Sequence, residues 1–276
     1  MREHTIRTAK GTVFFWSSAE WRPDRETLVF LHGLTGDHTM FRQQVDFFDG
    51  RYNLLLWDAP AHGKSRPFSE LRYGDAAELL KRALDEHGTA SAIFVGQSVG
   101  GYFVQSLIKR YPERVKGFVS IDSTPFGTAY YSRSDIWLLR QIEWMARLYP
   151  LGLLKRAIAK QVSVRPETYE DMLRMLGPYG KKELCRLMGW GYAGFLEDNC
   201  DLTITCPVLL LGERDNMGKV AAYARAWTEK TGFPLVVIEK AGHNSNVDNP
   251  ERVNREIEAF AAAIRAVPGT TQAAEG

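Results

Sequence analysis

At 276 residues the chain is long enough for one large α/β domain or two smaller ones. With 45% hydrophobic and 25% charged residues it has the composition of an ordinary globular protein, which excludes disordered, collagenous and disulfide-scaffold classes. A net charge of +2 is too small to make nucleic acid or an anionic membrane the main partner, so a small-molecule substrate is expected.

The first residues, MREHTIRTAK, are charged and lead into GTVFFWSSAEWRPDR rather than a long apolar stretch ending in small residues, so no export signal is expected. No run approaches the ~20 apolar residues of a membrane span, and a cytoplasmic protein follows as the expectation. ETLVFLHG (26–33), YNLLLWD (52–58), SAIFVG (91–96) and KGFVSID (116–122) are near-continuously apolar. That is the pattern of strands buried on both faces of a largely parallel sheet. GDAAELLKRALDEHG (74–88) places Ala77, Leu80, Ala83 and Leu84 on one helical face, with Gly88 as its C-terminal stop. Between about 124 and 200 strand signals vanish. Helical spacing takes over, first in Leu138, Ile142, Met145 and Tyr149, then in Tyr169, Met172, Leu173 and Leu176, with Pro166 and Gly177 punctuating the later helix. Cys185, Cys200 and Cys206 are odd in number and form no CxxC pair, so neither a disulfide framework nor a metal site is expected. Strand patterns resume in PVLLLGERD (207–215) and PLVVIEKAGH (234–243), with helices over 219–231 and about 250–266. The expected organisation is an α/β core of residues 1–123 and 201–267, a helical insertion of 124–200, and a small polar tail, 268–276, with little to bury and expected to be disordered.

The chemistry centres on FVGQSVGG, a GxSxG in which Ser98 lies between Gly96 and Gly100, after a strand and before a helix. A tight strand-to-helix turn there would project the Ser98 hydroxyl from the sheet edge and bring the Val99 amide, at the helix start, to a developing oxyanion. The spacing fails GxGxxG, so a dinucleotide site is not indicated. DAPAHGKS (58–65) contains GKS but has Asp58 where a phosphate loop needs its first glycine, and His62 in it is expected to be a turn residue. A serine nucleophile needs a base. Among six histidines, His243 alone follows a strand pattern at the same sheet edge, whereas His4, His32, His38, His62 and His87 lie in leading, turn or helix-end positions. The orienting carboxylate is best met by Asp215, ending PVLLLGERD, with Asp122 and then Glu213 as alternatives.

With GQSVGG, GERD and AGHNSN in that order, together with LHGLTG (31–36) and DAPAHGKS, nearly the whole chain resembles an α/β-hydrolase-fold protein with a helical cap. The resemblance implies that the HG turn of LHGLTG supplies a second oxyanion amide, that of Leu34, and that residues 124–200 cover the site. DAPAHGKS departs from the family's DxxGHGxS at Ala61, where glycine is common. The implied activity is a cofactor-free serine hydrolase acting on a small to medium ester or related acyl compound. Carbon–carbon bond hydrolysis or lyase chemistry, and a ligand receptor retaining the pocket, are the alternatives.

Overall fold

The computed structural model describes residues 1–213 and 219–266. Its frame is an eight-stranded sheet formed by β1 (Arg2–Thr8), β2 (Gly11–Ser17), β3 (Thr27–Leu31), β4 (Asn53–Asp58), β5 (Ala92–Gln97), β6 (Val115–Ile121), β7 (Val208–Glu213) and β8 (Leu235–Ile238). The strand order is β1-β2-β4-β3-β5-β6-β7-β8. From β4 to β8 every pairing is parallel, so the expected mostly parallel α/β architecture is observed. β3, β4 and β5 are buried at every position, which is why they are continuously apolar in the sequence.

Two departures have simple causes. The β1–β2 hairpin, antiparallel to β4, has no counterpart in the expected strands. β1 is the sheet edge, only its Ile6 is buried, and its polar majority masks the two-residue period. The expected strand over 234–243 is shorter: β8 ends at Ile238, and Val237 is half exposed, because the opposite edge lacks a neighbour to cover it. Arg214 and Asp215 of PVLLLGERD, and the tail 268–276, lie outside the described residues.

Helices α1 (Arg42–Phe48), α2 (Tyr73–Glu86) and α3 (Val99–Arg110) alternate with the first parallel strands. The predicted face of α2, including Ala77, Leu80, Ala83 and Leu84, is buried. Between β6 and β7 come α4 (Arg133–Arg147), α5 (Leu151–Val162), α6 (Pro166–Leu176) and α7 (Lys181–Asp198). α6 begins at Pro166 and stops at Gly177, as its punctuation predicts. The apolar stripe expected on α4 is not a core face: Leu138 is 45% and Tyr149 48% exposed, and only Ala146 is fully buried. α8 (Val220–Thr231), α9 (Ser245–Asp248) and α10 (Pro250–Ala266) complete the chain.

The insertion is fastened to the sheet at its far end. Asp198, closing α7, takes two parallel bonds of 2.7 Å from the Arg110 guanidinium and one of 2.5 Å from the Ser106 hydroxyl, both on α3. Burial alone would raise the Asp198 pKa, but the Arg110 and Ser106 bonds outweigh it and hold the carboxyl below its usual value. α3 is the helix that opens at Ser98, so the insertion and the candidate nucleophile share one support.

Candidate active site

Ser98 sits between β5 and α3 with φ 50 and ψ −117, a left-handed conformation costing on the order of 1–3 kcal/mol for a side-chain-bearing residue. The turn closes so tightly that a Cβ on Gly96 would come within 2.6 Å of the Gly100 backbone, and one on Gly100 within 2.0 Å of the Leu31 carbonyl oxygen. Neighbours hold the strained residue in place. Its N–H donates to Ile121 at 2.8 Å, and its carbonyl accepts from the Gly101 N–H and from the Ser123 hydroxyl. Val99 follows as the first residue of α3, where a helix has no earlier carbonyl to take its amide.

His243 approaches from the loop after β8, and its Nε2 is 2.8 Å from Ser98 Oγ. The two residues that the sequence pairs across 145 positions are therefore brought together. The other histidines are engaged elsewhere. His4 stacks on Phe15, and His87 meets both of those rings edge-on. His32 receives the Ala59 N–H at 3.0 Å on Nε2, while Nδ1 donates to the Gly33 carbonyl at 2.8 Å, so it ties two turns together. His62 is fully buried with Nδ1 on the Pro60 carbonyl, and burial followed by the nearby His32 pushes its pKa down to about 3, so it is neutral. His38 stacks on Trp16 and bonds the Asp58 carboxylate, 2.8 Å away. Asp58 itself turns back on its own loop, accepting the Lys64 and His38 amides, in keeping with a structural turn rather than a phosphate cradle. Ala61 adopts φ 68 there, the left-handed geometry that glycine would enter without strain.

Asp122, the alternative acid, directly follows β6 at φ 49, is buried, and accepts the Ser245 N–H at 3.1 Å. It therefore contacts the loop that carries His243. Asp215 lies outside the described residues, and so does the side chain of Glu213. Leu34 follows the HG turn and, with Ser98 and His243, lines both cavities that open beside the hydroxyl. The turn is pressed against the nucleophile, since a Cβ on Gly33 would stand 3.1 Å from that of Ser98.

Two supporting residues have no sequence signature. Gln97, the variable residue before the serine, donates through its amide to the His243 carbonyl at 2.7 Å, and its Oε1 occupies the space beside Gly33. Asp248 accepts the Gly242 N–H at 2.8 Å, the hydroxyl of Thr168 in α6 at 2.6 Å and, from the turn between α5 and α6, the Val164 and Arg165 amides. The Asn244 N–H reaches the Val162 carbonyl at 3.0 Å, so the insertion is bonded to the segment after His243 at both Asn244 and Asp248. All four inserted helices contribute lining residues to the two cavities. Among the described residues no group of three or more metal-ligating side chains exists, and no helix is long and apolar enough to cross a membrane.

Comparison with known proteins bears on the fold and the family. The model of the alpha/beta hydrolase family matches residues 28–256, from β3 into α10. A 3-oxoadipate enol-lactonase from Acinetobacter baylyi is 25% identical over 245 residues, 86% of this chain and 88% of that protein. A 2-(acetamidomethylene)succinate hydrolase from Mesorhizobium japonicum is 24% identical over 243 residues, 84% and 87% of the respective chains. Among solved structures, a thermophilic esterase from Thermogutta terrifontis superposes with a TM-score of 0.79 at 19% identity, covering 96% of this chain and 99% of that one. The enol-lactonase from Burkholderia xenovorans superposes with a TM-score of 0.77 at 17% identity, covering 94% and 100%. At such identities the structural likeness speaks for the fold.

Proposed function

The chain belongs to the alpha/beta hydrolase family, and from that premise we propose that it is a serine hydrolase that cleaves a small to medium carboxylic ester, lactone or related acyl compound. The observation that carries the reading is the 2.8 Å contact between His243 Nε2 and the hydroxyl of a conformationally strained Ser98. A hydroxyl so placed can lose its proton to the imidazole as it attacks, a step an isolated serine makes poorly at neutral pH.

In this reading His243 Nε2 takes the Ser98 proton while Oγ attacks the acyl carbon, and the Val99 and Leu34 amides hold the resulting oxyanion. Collapse expels the alcohol, which receives the proton back from His243. Water then attacks the acyl-enzyme by the same route. Asp215 orients the imidazole through Nδ1, and Asp122 supports the loop through Ser245. Each oxyanion amide is worth roughly 2.7–4 kcal/mol of barrier in comparable sites. The inserted helices act as a cap that closes the cavities over Ser98. Lactones are included because the compared proteins include enol-lactonases.

A fluorophosphonate followed by intact mass tests the assignment without knowledge of the substrate. One adduct on the wild type and none on Ser98→Ala is the expected result, with His243→Ala losing turnover by several orders of magnitude while remaining folded. A folded wild type that takes no adduct would remove the nucleophile assignment.

A further inference from the structure

Two cavities meet at Ser98, one of about 110 Å³ and one of about 320 Å³. Among the described residues four line both of them: Leu34, Ser98, His243 and Tyr192. The first three are the oxyanion turn, the nucleophile and the base of the proposed reaction. Tyr192, the fourth, comes from the insertion, on α7.

The core fixes the place of this tyrosine. A Cβ on the preceding Gly191 would come within 2.8 Å of the Leu34 side chain, and one on Gly194 within 2.8 Å of the Tyr73 ring. Tyr73, buried on α2, also donates its hydroxyl to the Gly191 carbonyl at 2.5 Å. Tyr192 therefore rides on a stretch of helix seated against both the oxyanion turn and α2.

Its hydroxyl differs from those of the other tyrosines in the cavity walls. Tyr102 and Tyr131 are engaged with Thr124, and Tyr223 with Asp135. No protein group bonds the Tyr192 hydroxyl, and burial alone raises its pKa, so at neutral pH it is a protonated donor without an acceptor. A dehydrated donor of this kind is costly unless a ligand supplies the missing acceptor. An ester offers two oxygens at its reacting centre. In the proposed reaction the carbonyl oxygen goes to the Leu34 and Val99 amides. The bridging oxygen joins the acyl half to the alcohol half. With one half in each cavity it lies where the two cavities meet, whichever half takes which, and Tyr192 lines that meeting point.

We infer that Tyr192 is a further catalytic residue, whose hydroxyl donates a hydrogen bond to the bridging oxygen of the substrate ester. The inference rests on Ser98 being the nucleophile of this site. As the tetrahedral intermediate collapses, the bond between the acyl carbon and the bridging oxygen breaks. Its electron pair goes to that oxygen, and His243 Nε2 delivers the proton that makes the alcohol. Tyr192 keeps its own proton. Its hydrogen bond strengthens as negative charge grows on the leaving oxygen, so it favours the transition state over the bound ester.

Benzyl acetate and S-benzyl thioacetate test this, because they share both halves and the carbonyl and differ only in the bridging atom. Oxygen is a good acceptor and divalent sulfur a weak one. The readout is kcat/KM, which reports acylation, on the wild type and on Tyr192→Phe. Since the hydroxyl has no protein partner, the variant is expected to keep the wild-type denaturant midpoint. It is expected to lose about ten-fold or more on benzyl acetate and less than about two-fold on the thioacetate. Equal losses on the two would move the bond to the carbonyl oxygen they share, and no loss on either would remove Tyr192 from the reaction. Both results overturn the inference while leaving Ser98 as the nucleophile. Hydrolysis undiminished in Ser98→Ala, or a wild type that cleaves neither partner in the acetyl, butyryl and benzoyl series, would instead remove the serine-hydrolase reading and the inference with it.

Discussion

Gln97 stands next to the nucleophile in sequence, yet its side chain serves the other catalytic candidate. Fully buried, it spans from the HG turn at Gly33 to the carbonyl of His243 and so sets the distance across which a proton would move. Replacing it by leucine keeps the volume and removes a donor to a buried carbonyl, at a cost of about 1–3 kcal/mol. Gln97→Leu is therefore expected to lower kcat about ten-fold with KM changed less than two-fold, because the loss falls on the placement of His243 rather than on the cavities. Steady-state kinetics on any accepted ester would check it, and a change confined to KM would contradict it. At the same scale the acid can be assigned: Asp215→Asn should cost far more turnover than Asp122→Asn if Asp215 orients the imidazole and Asp122 only braces Ser245. The reverse ranking would exchange their roles.

The elements are joined where the insertion meets the histidine loop. Asp248, the last residue of α9, gathers donors from Gly242 on one side and from Val164, Arg165 and Thr168 on the other. Both carboxylate oxygens are used, so an asparagine, with one oxygen and an NH₂ facing other donors, cannot replace it. Asp248→Asn is expected to reduce kcat about ten-fold, and Thr168→Val, which removes one of those bonds, about two- to three-fold in the same direction, both with little effect on KM. Equal kcat in Thr168→Val and wild type would show that the α5–α6 turn does not steady the loop. The far end of the insertion is held independently by Asp198 on Arg110 and Ser106, so α7 remains anchored to α3 when the α5–α6 contact is loosened.

For the whole molecule, acid sensitivity follows from its buried histidines. Burial depresses the pKa of both His32 and His62, that of His62 to about 3, so the fold keeps them neutral while the unfolded chain protonates them near 6.5. Their contribution is complete above pH 6.5 and is lost as pH falls below it, that of His62 until pH nears 3, at about 1.4 kcal/mol per pH unit for each proton taken up only on unfolding. Asp58 and Asp198, whose carboxyls are held below the usual value, add their own loss only below about pH 4. Denaturant midpoints should thus fall between pH 6.5 and 4.5, and His62→Gln should flatten the slope by about one proton. Identical midpoints at pH 7.5 and 5 would refute this. Much of the same architecture was legible in the chain. Central strands buried on both faces must be continuously apolar, the elbow's glycines are required by backbone contacts under 3 Å, and Ser98 and His243 both follow strands of one parallel sheet, where carboxyl edges coincide. These are local or topological properties, and local residue patterns express them. The hairpin at residues 2–17, the half-exposed face of α4, and the roles of Gln97, Asp122 and Asp248 were decided by the tertiary structure alone. Each depends on what packs or bonds between segments distant in the chain, or on a sheet edge lacking a neighbour, and single polar side chains have no periodicity through which such partners could be read.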